Sequence, residues 1–166
     1  YAAGIVFCSP GGGYWGRDHG NDNGIPPDGF QRTLHGSYPA GGKYDDRSFA
    51  SQKNGAGAGG AGITPIMLSS WMHFMNAEVA GVGTAGATTE VLAGMADSME
   101  KVSGFAGSPA MSSTAVDNYT VAFTSAWTNA SNAEKGNMWA KQFWITLFGN
   151  GTDAYNAYRR TGLPSD

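Results

Sequence analysis

Apolar positions in the second half of the chain recur every three or four residues, the period of a helix with one buried face. Thr64-Pro65 reads as an N-cap followed by proline at the first helical position. Beyond it Met67, Trp71, Phe74, Met75 and Glu78 share one face, and Gly81 and Gly83 stop the helix. A second helix is predicted to start at Thr88. Its stripe is Val91, Leu92, Met95, Met99 and Val102, with Gly104 where a C′ glycine belongs. A third follows the caps Ser112 and Ser113, with Val116, Tyr119, Phe123, Trp127 and Ala130 in register. A fourth opens on Ser131-Asn132-Ala133-Glu134, which has capping-box spacing. It carries Met138, Gln142 and Ile145 on one side and Trp139, Phe143 and Leu147 on another, a width that predicts burial on two faces. Asn150-Gly151 ends it. A last short helix spans 153–160, stopped by Gly162 with Pro164 beyond. Trp71, Trp127, Trp139 and Trp144 lie on these stripes and are expected in the core. The expected fold class is therefore mainly α, with helical hairpins joined by loops of about 5–10 residues.

The first part of the chain has no such period. Residues 1–62 hold 16 of the 26 glycines, and turn chemistry recurs in Gly11-Gly12-Gly13, Asp22-Asn23-Gly24, Pro26-Pro27-Asp28-Gly29 and Gly41-Gly42. Residues 54–62 are Gly/Ala low complexity. The chain thus divides into a loop-rich arm, 1–62, and a helical portion, 63–166. A structureless stretch that long cannot bury a core of its own. With a fourth helix apolar on two sides, it leads us to expect a piece of a larger protein, the arm lying on polypeptide outside this sequence.

Charge and cysteine content narrow the function. Charged residues make up 14% and the net charge is -3. That balance argues against a nucleic-acid binder, which shows a basic stripe. The single Cys8 excludes an internal disulfide framework and a cysteine-based zinc cluster; its plain role is a small buried apolar residue.

Three ordered stretches carry a resemblance. The first is Gly16-Arg17-Asp18-His19-Gly20, then Gly24-Ile25-Pro26-Pro27-Asp28, then Tyr38-Pro39-Ala40-Gly41-Gly42-Lys43-Tyr44-Asp45-Asp46. The second is Ile63-Thr64-Pro65-Ile66-Met67-Leu68-Ser69-Ser70-Trp71 leading to Ala77-Glu78. The third is Lys141-Gln142-Phe143-Trp144-Ile145-Thr146-Leu147-Phe148-Gly149-Asn150-Gly151, then Ala154-Tyr155-Asn156-Ala157-Tyr158-Arg159-Arg160-Thr161-Gly162-Leu163-Pro164. Together they resemble the C-terminal portion of SusD/RagB-like outer-membrane lipoproteins. The resemblance implies a mostly α fold with tetratricopeptide-like helix pairs and a loop-rich ligand-binding part. It also implies a lipid anchor in a missing N-terminal part, and a place on the cell-facing side of the outer membrane of a Bacteroidetes-type bacterium. Such a protein caps a SusC-like TonB-dependent transporter, binds glycan, oligosaccharide or peptide nutrient, and is not an enzyme. No cofactor and no metal are implied. The partners are the transporter barrel, the nutrient ligand and the remaining N-terminal part of the same protein.

The residues themselves offer one dense polar-aromatic cluster. Sugars are held by aromatic faces over their C–H patches and by carboxylate, Arg and Asn groups on their hydroxyls. Tyr14, Trp15, Arg17 and Asp18 supply those parts on a glycine loop and are the candidate ligand-binding residues; a structural plug on the helices is the competing role. Asp18 and His19 as an acid/base pair would make a glycan-processing enzyme, but sequence neighbours rarely point at one site and no nucleophile motif accompanies them. A structural or assembly subunit without ligand binding is the further alternative. A calcium loop ending at Gly24 fails, because His19 and Phe30 fall where the first and last oxygen ligands belong; a non-standard oxygen site from Asp18, Asp22 and Asn23 stays open. Asp45-Asp46 read as solvated or paired with Arg47 or Lys43. His35 and His73 read as structural, His73 among Met72, Phe74 and Met75. Arg159-Arg160 suit the end of a helix, where cations complement the dipole and bond neighbouring carbonyls.

Overall fold

Helix α1 (Ser69–Ala80) begins only after a stretch held extended by other parts of the chain. The computed structural model describes residues 38–39, 62–106, 108 and 111–165. Within them the Ile63 N–H donates to the Tyr38 carbonyl oxygen at 2.6 Å, and Pro65 is buried. These contacts keep 62–67 out of the helix, so Thr64-Pro65 is not the start and Met67 is exposed. Leu68 occupies the N-cap with no side-chain capping bond. Gly81, at φ 87, stops the helix as expected.

Helix α2 (Ala85–Ser103) starts one turn earlier than Thr88. The Thr84 side chain accepts from the Ala87 N–H and is the cap. Thr88 therefore lies inside the helix, where its hydroxyl oxygen accepts the Trp127 indole N–H at 2.9 Å. Gly104 sits at the C-cap in right-handed conformation, φ -83, and is not a left-handed C′ glycine. Helix α3 (Ser113–Asn129) is capped by Ser112, whose side chain accepts from the Ala115 N–H.

Helix α4 (Asn132–Thr146) opens on the full capping box: Ser131 accepts from the Glu134 N–H, and Glu134 accepts back from the Ser131 backbone N–H at 2.7 Å. The Ser131 hydroxyl and backbone hold the Glu134 carboxyl below its ordinary value. A carboxyl that titrates lower when folded adds stability above its unfolded value and loses it as pH falls through its folded one. Thermal unfolding of the parent is therefore expected to lose more midpoint between neutral and acid pH than that of Glu134→Gln; identical pH profiles would contradict the assignment.

The α4 helix ends at Thr146, not at Asn150-Gly151. A turn through Gly149, at φ 89, follows, and Asn150 instead caps helix α5 (Gly151–Thr161), its side chain accepting from the Asp153 N–H. That cap moves the start of α5 ahead of Asp153. Gly162 closes it in left-handed conformation, φ 69. The linkers 81–84, 130–131 and 147–150 are tighter than the loops expected from the sequence. All five helices, and no strand, are found among the described residues.

The core forms where the stripes meet: Trp71, Phe74 and Ala77 of α1, Ala87, Val91 and Met95 of α2, Phe123 and Trp127 of α3, and Trp139, Ala140 and Phe143 of α4, with Leu147. The Phe74 and Phe143 rings stack with centroids 5.5 Å apart. Three of the four tryptophans expected inside are there, each with its indole N–H satisfied by a partner. Trp71 donates to the Thr146 carbonyl oxygen at 2.8 Å, Trp139 to that of Phe74 at 2.9 Å, and Trp127 to Thr88. Trp144 is the exception. It is 59% exposed, because α4 turns Trp139 and Phe143 to α1 and carries Trp144 about 100° further round. Ile145 is exposed as well, so the second face of α4 is covered only around Gln142 and Met138. Gln142 is buried and its side chain bonds the Tyr119 hydroxyl of α3.

Candidate functional site

The sequence-derived binding residues Tyr14, Trp15, Arg17 and Asp18 lie outside the described residues. So do Cys8, His19, His35, the Asp18/Asp22/Asn23 oxygen set and Asp45-Asp46. All but a small part of the arm 1–62 falls outside them too.

What the described residues bring together is a junction of three distant stretches. Tyr38-Pro39 sits beside Ile63 through the 2.6 Å backbone bond, and the Ser108 hydroxyl donates to the Pro39 carbonyl oxygen at 3.1 Å. The Tyr38 ring lies 6.3 Å from that of Phe148. Gly149 completes the contact: a Cβ there would meet Pro65 at 3.5 Å and Tyr38 at 3.8 Å, and its positive φ already excludes most side chains. Burial raises the Tyr38 phenol pKa, and its buried hydroxyl has no hydrogen-bond partner among the described residues.

Trp71 reaches the Thr146 carbonyl, closing α1 onto the end of α4. At the far end of α1, the Arg160 guanidinium forks onto the Glu78 carboxylate, Nη1 to Oε1 and Nη2 to Oε2, the second at 3.0 Å. This bidentate bond raises the already basic pKa of Arg160. Arg160 thus finds a carboxylate on α1 in place of the helix-end carbonyls expected for it. The neighbouring Arg159 lies over the Tyr155 ring, 5.8 Å from its centroid. Nothing in the spacing of Glu78 and Arg160, which are 82 residues apart, announces the pair.

His73 is a polar link between α1 and α2. Its Nδ1 is 2.6 Å from a Glu90 carboxylate oxygen, and its Nε2 is 3.6 Å from one of Asp97. The carboxylates lie on opposite sides of the ring, so one ion cannot be held by all three. Among the described residues no three His, Cys, Asp or Glu side chains are grouped to hold a metal ion.

A groove of about 420 Å³ runs between α3 and α4 over Ala126, Ala130 and Met138. Part of its polar rim is already engaged, and Lys141 also lines it. Asn129 donates to the Ser125 carbonyl, Asn137 bonds Ser165, and Glu134 serves the capping box. No described helix is long and apolar enough to cross a membrane.

Comparison with protein-family models, curated proteins and solved structures finds no match for the chain.

Proposed function

We propose that the chain is the C-terminal portion of a SusD/RagB-like surface lipoprotein of the outer membrane. It binds glycan, oligosaccharide or peptide nutrient, caps a SusC-like TonB-dependent transporter and performs no chemistry of its own. Its architecture in this reading is a tetratricopeptide-like set of helix pairs, completed by an N-terminal part that carries the lipid anchor.

One observation carries the reading. Described residues of the three stretches on which the resemblance rests, of the first only Tyr38 and Pro39, lie far apart in sequence yet contact one another. Tyr38 from the first meets Ile63 from the second and Phe148 from the third. Trp71 from the second bonds Thr146 from the third, and Glu78 from the second pairs with Arg160 from the third. Residues that contact one another are constrained together, which gives a physical reason for an ordered set of motifs to occur as a set. The glycine loop with Tyr14, Trp15, Arg17 and Asp18 is the proposed ligand contact in this reading.

Ligand binding is measured by retardation in native gels cast with polysaccharides and by titration with oligosaccharides and peptides. The parent protein is expected to bind one class, and Trp15→Ala to bind about tenfold or more weakly, the loss of one stacking and hydrogen-bonding anchor. Turnover of a glycan that disappears in Asp18→Asn would replace this reading by the enzymatic one. Absence of binding to every class would leave a structural subunit.

A further inference from the structure

We propose that Asn150 is a deamidation site gated by helix α5. It is inert while the start of the helix is closed, and once α5 opens it converts to a carboxylate that keeps the helix from closing again. This inference does not rest on the transporter reading.

An asparagine followed by glycine is chemically labile, because no side chain on the glycine hinders its peptide nitrogen. The Gly151 nitrogen, its proton given up to solvent, attacks the Asn150 side-chain carbonyl carbon. The new N–C bond closes a succinimide ring, the Cγ–Nδ2 bond breaks, and Nδ2 leaves as ammonia with a proton taken from solvent. Water then adds across either imide C–N bond and leaves aspartate or isoaspartate. Water is the only co-reactant. A Cβ at position 151 would meet nothing within 4 Å, so packing does not require this glycine.

The folded chain blocks the first step. At φ -122 and ψ 73 the Gly151 nitrogen lies opposite the Asn150 Cβ across the Cα–C bond, so the ring closes only after nearly half a turn about that bond. The same turn carries away the Asn150 carbonyl oxygen, which accepts the Ala154 N–H at 3.2 Å as the first bond of the helix. The side chain is held as well. Its Oδ1 accepts the Asp153 N–H at 3.2 Å, and its Nδ2 donates to Asp153 Oδ2 at 2.6 Å. Cyclisation therefore waits for the first turn of α5 to open, and helix ends open more readily than the whole fold.

The product differs at one contact. Asparagine and aspartate cap helices about equally well, so a carboxylate at 150 is not unfavourable in itself. Here the Nδ2 donor is lost and a carboxylate oxygen takes its place against Asp153 Oδ2, setting two like charges at hydrogen-bond distance. Isoaspartate also lengthens the backbone by one carbon. What is released matters to the core: Ala154, Ala157 and Leu163 pack against it, and Arg160 ties α5 to Glu78. An opening that lasts long enough for reaction leaves the core without that cover.

The test incubates the full chain, folded and in guanidinium chloride, at one mildly alkaline pH, and follows deamidation at each asparagine by peptide fragmentation in the mass spectrometer. In the denatured chain Asn23, Asn54 and Asn150, each followed by glycine, are expected to react at similar rates. In the folded chain Asn150 is expected to react about tenfold or more slowly than when denatured, because only the open fraction reacts. Asp153→Ala should speed the reaction severalfold in the folded chain and leave the denatured rate unchanged. Gly151→Ala should slow it in both states while the melting midpoint holds or rises. Asn150→Asp stands for the product. Its melting midpoint should fall, and adding Asp153→Asn, which returns a donor to the contact, should restore most of the loss. An Asn150 that reacts as fast folded as denatured, a folded Asp153→Ala no faster than the parent, or an Asn150→Asp that melts at or above the parent midpoint would each overturn the proposal.

Discussion

Trp71→Ala is expected to destabilise the helical portion by about 3–5 kcal/mol, the cost of removing a large ring from a packed interior. The ring is 0% exposed and sits with Phe74 and Ala77 on the buried face of α1. Its indole N–H also closes α1 onto α4 through the Thr146 carbonyl at 2.8 Å. Trp71→Phe separates the two contributions. It keeps much of the ring volume but leaves a buried carbonyl without its donor, so a loss of about 1–3 kcal/mol is expected. Denaturant unfolding followed by circular dichroism measures both. A loss below about 1 kcal/mol for Trp71→Ala would place the ring outside the core.

Gly94→Val is expected to cost about 3 kcal/mol, at the upper end of ordinary overpacking. A glycine in the middle of a 19-residue helix is unfavourable by itself, and replacing it by alanine normally gains about 1 kcal/mol. Here the neighbours decide the sign. A Cβ at Gly94 would lie 2.7 Å from the Phe74 ring and 3.1 Å from the Ser70 carbonyl oxygen. The ring is 0% exposed and stacked on Phe143, and the carbonyl is backbone, so neither can give way without moving α1. Gly86 is the control. A Cβ there finds nothing closer than 3.8 Å, so Gly86→Ala is expected to be neutral or to gain up to about 1 kcal/mol. The thermal or denaturant midpoint of Gly94→Val should fall, while that of Gly86→Ala should hold or rise. Equal shifts would show that α1 and α2 do not approach closely at Gly94.

Much of this fold was legible in the pattern of apolar residues and caps. The capping box at Ser131, the Ser112 cap, the stops at Gly81 and Gly162, and the burial of Trp71, Trp127 and Trp139 follow from local chemistry that tertiary contacts do not override. The misses share a cause: a second structure competes for the same residues. Thr64-Pro65 has the form of a helix start, but Tyr38 and Gly149 capture that stretch first. Thr84 and Thr88 are both competent caps, and Trp127 uses the second as an acceptor. Asn150-Gly151 suits a helix end and a helix start equally, and the turn through Gly149 makes it a start. Trp144 lies one residue from Phe143 on a helix crowded with aromatics, where periodicity alone does not say which ring faces the neighbour. Of the junction, the sequence showed the parts and not the pairing, because Glu78 and Arg160 meet only once α5 has folded back on α1.

The proposed role is that of a transporter-capping surface lipoprotein. It is tested most directly by affinity purification of the native protein from detergent-solubilised outer membranes, with co-purifying polypeptides identified by mass spectrometry. Stoichiometric recovery of a TonB-dependent barrel with heat-modifiable gel mobility is the expected result. Recovery of the protein in the soluble fraction, or from membranes with no barrel attached, would contradict it.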